Sequence, residues 1–133
     1  MDSFEKIWES VESLSIRELI SPELRPLIED VYNQINKPVS NFSAIKVSLE
    51  NLFIYLTTSR GRTSANCYAT DLFFTLANWN INWGIYPERL KEIIDDIGGA
   101  LHDTIAHPEI AENFNSLPEQ LLHRIRNLES ISD

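Results

Sequence analysis

Cysteine, glycine and long apolar runs are scarce in this sequence, which has one cysteine, four glycines and no wholly apolar run longer than the five residues 52–56. The lone Cys67 excludes an intramolecular disulfide and a thiolate zinc cluster, and such cysteine usage is typical of a reducing compartment. A helix needs about 20 apolar residues to cross a bilayer. The N-terminal segment also has acids where a secretory signal would have bases. We therefore expect a cytoplasmic protein without a membrane span.

Basic residues are fewer than acidic ones. The chain has 11 lysines and arginines and 20 aspartates and glutamates, which gives a net charge of −9. Residues 1–30 carry eight acids and three bases, residues 31–86 two and four, and residues 87–133 ten and four. Two acidic ends thus flank a nearly uncharged middle. Phosphate backbones and anionic lipids repel an acidic chain. We therefore expect neither nucleic acid nor a membrane as partner, and a basic partner if it is a protein.

Apolar residues recur with helical spacing along most of the chain, and this pattern predicts an all-α single domain over residues 1–133. Capping residues, among them Ser21 for the second helix and either Thr63 or Ser64 for the fourth, and prolines at first helical positions mark where the helices start. The predicted bundle has about six helices with short connections, covering residues 3–14, 21–36, 43–56, 63–77, 87–105 and 116–128. The third and fourth helices are apolar on more than one side and are expected to form a central pair. Pro26 leaves open whether the second helix is regular throughout or only from that proline.

The segment 79–86 concentrates aromatic side chains but has no clear secondary structure. Its apolar and polar residues alternate as in a strand, yet Trp79, Trp83 and Tyr86 would also share one face of a helix. Large aromatic side chains supply much of the binding energy at protein interfaces. These three residues are therefore candidates for a binding surface. The alternative is that Trp79 ends the fourth helix and packs inward while Trp83 and Tyr86 cover the end of the bundle.

Arg60 and Arg62 stand just before the fourth helix, where the helix dipole and free backbone N–H groups favour an anion. Both are candidates for binding a phosphate or a carboxylate. Asp71 lies two turns further on among apolar residues and needs a cationic partner if it is buried. We accordingly predict, as the competing interpretation, that Asp71 is buried and paired with one of these arginines. Cys67 has no histidine nearby in sequence and is expected to be a buried thiol.

A group of carboxylates and imidazoles on the predicted fifth helix is the main candidate for catalysis. Asp95, Asp96, His102 and Asp103 lie within a few turns of one another, and such side chains can hold a divalent metal. On a helical wheel, however, the carboxylates lie opposite the apolar face, which is typical of a solvated surface. We therefore predict no specific metal site and no cofactor. A small metal-dependent hydrolase or ligand-binding enzyme using this group remains the alternative function.

Acidity, the aromatic segment and the lack of a convincing catalytic set together favour a non-enzymatic binding module. Its partner is expected to be another protein of basic character, with a homodimer as the second option. Inhibitor, immunity and adaptor proteins have compositions of this kind, although a fold by itself does not decide a function.

Overall fold

The computed structural model describes residues 4–15, 17–37, 42–77, 91, 92, 95 and 117–127. All regular secondary structure in these ranges is helical, and they contain no strand. The elements are α1 (Phe4–Leu14), a 3-10 turn (Arg17–Leu19), α2 (Leu24–Ile35), α3 (Phe42–Thr57), α4 (Ser64–Ala77) and α5 (Leu117–Arg126). The predicted all-α class is confirmed, and the five α-helices of the described ranges are close to the predicted six. The helix α5 corresponds to the sixth predicted helix, whereas residues 79–86 and most of the fifth lie outside the described residues.

The first helix is amphipathic because its apolar residues recur on one side. Phe4, Ile7, Trp8 and Val11 are buried, as their spacing predicts. Leu14 ends the same stripe but is 59% exposed. The apolar stripe of α1 therefore extends beyond the core at the C-terminal end of the helix.

The second helix begins at Leu24, three residues after the predicted cap, Ser21. Its N-cap is Glu23, which makes no side-chain capping bond. Pro26 falls in the first turn, where a missing N–H costs little because the helix offers it no acceptor. Ser21 instead exchanges hydrogen bonds with Asn66 of α4. The predicted start of this helix is thus corrected, because its capping residue makes a tertiary contact.

The third helix buries the predicted apolar stripe, which consists of Ile45, Leu49, Leu52, Phe53 and Leu56. Val47 and Ile54 lie outside that stripe and are exposed. The expectation that α3 is buried on more than one side is therefore wrong for these two positions. α3 is the longest described helix, with 16 residues, and none of the described helices combines the length and apolar content needed to cross a bilayer.

The helices do not surround a central α3–α4 pair as expected. α3 packs chiefly against α2 and α5, whereas α4 packs against α1 and less extensively against α2. The rings of Phe4, Tyr32 and Phe73, one each from α1, α2 and α4, have centroids 5.5 to 5.9 Å apart. Such aromatic pairs contribute about 0.5–1.5 kcal/mol each beyond their burial. This cluster ties α1, α2 and α4 together.

Candidate functional site

Arg60, one of the two predicted anion-binding residues, is held by a carboxylate of the chain itself. Its Nε donates to Oε2 of Glu23 at 2.9 Å, and its Nη2 donates to Oε1 at 2.6 Å. The Tyr55 hydroxyl also donates to Oε2 of Glu23, at 3.0 Å. The hydrogen bonding from Arg60 is the largest influence on the pKa of Glu23, which falls from its usual 4.5 to about 2. An external anion at Arg60 would have to replace this bidentate carboxylate.

Arg62, the other predicted anion-binding residue, is also bound within the chain. Its Nη2 donates to the backbone carbonyl of Thr57 at 2.9 Å. Its guanidinium forms an ion pair with Glu119 of α5. Arg60 and Arg62 therefore connect the turn between α3 and α4 to two other helices, α2 and α5.

Asp71 is buried, at 3% exposure, as predicted. Its predicted pairing with Arg60 or Arg62 is wrong, because the ion-pair partners of these arginines are Glu23 and Glu119. At a rise of about 1.5 Å per residue, Asp71 lies roughly 10 Å along α4 from the start of the helix. The Thr75 hydroxyl donates to its Oδ1 at 3.4 Å.

The connection between α3 and α4, residues 58–63, is closely packed, and we call it the α3–α4 junction. Gly61 is buried in it. A Cβ atom at Gly61 would overlap the carbonyl oxygen of Tyr55, and would lie 2.8 Å from its carbonyl carbon and 3.0 Å from Cδ2. The fourth helix then starts with Thr63 as its cap, because Oγ1 of Thr63 accepts from the backbone N–H of Asn66 at 3.1 Å. This confirms one of the two predicted caps.

Cys67 is a free and buried cysteine, as expected. Burial raises the pKa of its thiol to about 12. Since the thiolate is the nucleophilic form of cysteine, the thiol is almost entirely protonated and unreactive near neutral pH. Cys67 is therefore a core side chain of α4.

Most of the other predicted site residues lie outside the described residues, namely Trp79, Trp83, Tyr86, Asp96, His102 and Asp103. Asp95 is described, lies in a helical segment and is exposed. The Nζ of Lys91 donates to its Oδ2 at 3.4 Å, one helical turn away. Among the described residues no group of three side chains is placed to hold a metal ion. Because three of the four residues of the metal-dependent alternative lie outside the described residues, that alternative stays a prediction.

An open apolar groove lies between the end of α1 and the start of α4. Its volume is about 410 Å³. Its lining consists mainly of apolar atoms from Ser13, Leu14, Ser15, Leu19, Ser64, Ala65 and Tyr68. Leu14 and Leu19 are 59% and 60% exposed, the two highest values among the exposed large apolar side chains of the described residues.

A second, polar pocket of about 370 Å³ adjoins the apolar groove, and the two share Ser13 and Ser15. Three glutamates line the polar pocket, and we call Glu9, Glu12 and Glu18 the acidic rim. Arg17 is the one basic residue of that pocket, and its Nη2 lies 2.9 Å from Oε1 of Glu12. One of the three carboxylates is therefore paired with a local cation, and the rim stays net negative.

Sequence patterns did not reveal this groove. Helical spacing assigns Leu14 to the buried face of α1, and Leu19 lies in a 3-10 turn that no periodicity describes. The one sequence feature that points to the groove is the apolar stripe of α1, which continues to the last residue of that helix, Leu14. Only the tertiary structure shows that both leucines are largely exposed.

Comparison of the chain with protein-family models, curated proteins and solved structures finds no match. Function must therefore be inferred from the geometry and charge of the described residues.

Proposed function

We propose that this chain is a non-enzymatic protein-binding module of the inhibitor, immunity or adaptor kind. Its partner is a basic protein segment that places apolar side chains in the groove between α1 and α4. One observation carries the proposal, namely that Leu14 and Leu19 project largely into solvent on the lining of one apolar groove. Transferring a leucine side chain from water to an apolar contact contributes about 1.5–3 kcal/mol. Two such side chains side by side give a partner a substantial gain on binding.

The open shape of the groove suits a protein segment. Its volume of about 410 Å³ lies within the range of roughly 300–1,000 Å³ found for ligand sites. Enclosed pockets bury most of a small ligand, whereas this groove is partly open to solvent. Side chains projecting from one face of a helix can enter such a groove without the backbone being buried, as in helix-in-groove recognition.

The acidic rim indicates the charge of the partner. Glu9, Glu12 and Glu18 line the polar pocket that adjoins the groove, with Arg17 as the one basic residue of that pocket, and the whole chain carries a net charge of −9. Complementary charge accelerates association and disfavours partners of the same sign. A lysine- or arginine-rich segment therefore fits the surface, whereas an acidic segment or a phosphate backbone is repelled.

A defined peptide pair tests the proposal. The probe is a labelled amphipathic peptide of about 16 residues with leucines on one helical face and lysines on the other. The comparison peptide has glutamate in place of every lysine. We expect the lysine peptide to bind with a Kd on the order of 10 µM, about −7 kcal/mol, and the glutamate peptide to show no binding in fluorescence anisotropy. Raising the NaCl concentration should weaken the binding of the lysine peptide, because salt screens the acidic rim.

Two matched variants locate the binding surface. Leu19→Ser removes a groove side chain, and Val47→Ser removes an apolar side chain of α3 that is 55% exposed but does not line the groove. Leu19→Ser should weaken binding about 30-fold, as for a hot-spot contact of about 2 kcal/mol, and Val47→Ser should leave the Kd unchanged. Equal effects of the two substitutions, or equal binding of both peptides, would refute the proposal. A dimer in sedimentation that Leu19→Ser abolishes would assign the groove to a second copy of the chain instead.

A further inference from the structure

Asn66 connects the two walls of the apolar groove. One wall comes from the end of α1 and the 3-10 turn, and the other comes from the first turns of α4. Asn66 is a fully buried residue of α4. Its Oδ1 accepts from the backbone N–H of Ser21 at 2.9 Å, and its Nδ2 donates to Oγ of Ser21 at 3.0 Å. Since Ser21 follows Leu19 by two residues, these bonds hold the first wall against the second.

The side chain of Asn66 is fixed from a second direction as well. Its Nδ2 also donates to the backbone carbonyl of Gly61, at 3.0 Å. An asparagine amide has two N–H donors and one carbonyl acceptor, and all three are used in these contacts. The side chain therefore has a single orientation, set jointly by the α3–α4 junction and by Ser21.

Backbone hydrogen bonds on both sides of Ser21 fix the position of Leu19 relative to Ser21. The backbone N–H of Ile20 donates to the carbonyl of Arg17 at 3.1 Å and closes the 3-10 turn. The backbone N–H of Leu24 donates to the carbonyl of Ser21 at 3.0 Å and leads directly into α2. With hydrogen bonds on both sides of Ser21, the chain has little freedom to move Leu19 independently.

We infer that Asn66 is the positioning residue of the apolar groove, setting the distance between Leu19 and the wall formed by α4. This inference rests on the proposed function, because it concerns the same groove. Asn66 does not line the groove, so it acts on the partner only through the placement of Leu19. Replacing Asn66 should consequently lower the affinity for the leucine–lysine peptide without removing any contact to it.

The test compares Asn66→Ala with a control in which another buried side chain loses a hydrogen bond between two helices. Ser48 is 3% exposed, and its hydroxyl donates to Oδ2 of Asp30 at 2.7 Å between α3 and α2. Both variants are first shown to be folded at 10 °C by circular dichroism, and their Kd values for the leucine–lysine peptide are then measured at that temperature. We expect Asn66→Ala to weaken binding at least tenfold and Ser48→Ala to stay within twofold of the unmodified chain. The methyl resonances of Leu19 should shift in Asn66→Ala, and those of Val47 should not.

Each outcome is decisive. If Asn66→Ala binds within twofold of the unmodified chain while Leu19→Ser still binds weakly, the positioning role is wrong and the proposed function stands. If Leu19→Ser has no effect, the proposed function itself fails. Should Asn66→Ala not fold, Ser21→Ala replaces it, because it removes only the bond to Oγ of Ser21. That variant should weaken binding two- to fivefold, and an unchanged Kd would overturn the positioning role.

Discussion

The α3–α4 junction and the apolar groove meet at the first turns of α4, but their side chains differ in how the fold accommodates them. The charged side chains of the junction are paired within the chain, whereas the apolar side chains of the groove are exposed to solvent. In the junction, Arg60 and Arg62 looked available to a ligand but are bound to Glu23 and Glu119. In the groove, Leu14 looked like a core residue but is mostly exposed. Residue type alone therefore favours the arginines of the junction, whereas the contacts in the structure favour the leucines of the groove. A better guide to a binding surface is a group of side chains that the fold does not satisfy, such as apolar side chains that are not buried.

The difference has a physical cause. A charged side chain gains from a nearby opposite charge and from hydrogen bonds, so folding tends to pair it within the chain. An apolar side chain loses free energy in water in proportion to its exposed area. Apolar side chains clustered on an exposed surface are therefore a stronger indication of a partner than clustered charges.

The largest expected effect on stability is at Gly61, in the α3–α4 junction. Gly61→Ala should lower the free energy of unfolding by about 3 kcal/mol, because the added methyl group would collide with the backbone of Tyr55. Urea denaturation followed by circular dichroism measures the change. Ser59→Ala, in the same turn, is the control and should alter stability by less than about 0.5 kcal/mol. Similar effects of the two substitutions would show that the junction is not tightly packed.

The ion pair between Arg62 and Glu119 should contribute less to the free energy of unfolding than Gly61→Ala removes. Their side chains are 23% and 45% exposed, so solvent screens the interaction and the coupling should be about 0.5–1 kcal/mol. A double-mutant cycle with Arg62→Ala and Glu119→Ala measures this coupling from urea midpoints. It should decrease at 0.5 M NaCl. Zero coupling at low salt would show that this ion pair does not stabilise the contact between the junction and α5.

The Glu23–Arg60 pair should make stability depend on pH. The pKa of Glu23 is about 2 in the folded chain against a usual 4.5. A lowered carboxyl pKa stabilises the fold at pH values above the unfolded pKa, and this contribution is lost as the pH falls from about 4.5 towards 2. The stability difference between the unmodified chain and Glu23→Gln should therefore shrink over that interval in urea titrations.

A second pair of variants shows whether Arg60 causes this pH dependence. In an Arg60→Gln background, Glu23→Gln should produce a much smaller pH-dependent difference, because the main cause of the lowered pKa is gone. An undiminished difference would mean that Arg60 is not the partner that matters. In that case Arg60 would again be available to bind an anion.

The smallest expected effect on stability is in the groove. Leu14→Ser and Leu19→Ser should each change the free energy of unfolding by less than about 0.5 kcal/mol, since both side chains are already largely in water. Leu52→Ala, at a fully buried position of α3, is the positive control and should cost about 2–5 kcal/mol. Thermal and urea unfolding measure all three. A large loss in either groove variant would show that the leucines support the core rather than a partner.

Helical spacing determined much of the architecture. The all-α class, the helices α1 to α5 and the buried stripe of α3 follow from periodicity, because a helix must place its apolar residues on one face to bury them. The cap at Thr63 follows from local chemistry as well, since the unbonded N–H groups of a helix start need a nearby acceptor. The burial of Asp71 and Cys67 could also be predicted, because both lie among apolar residues of α4.

The partners of these residues were decided only by the tertiary structure. Arg60 meets Glu23 across 37 residues of sequence, and Asn66 meets Ser21 across 45, separations at which no periodicity operates. Leu14 is 59% exposed even though it continues the stripe of α1 that is buried as far as Val11. Local sequence determines which face of a helix is apolar. Only the packing of the helices determines how far along its length that face is covered.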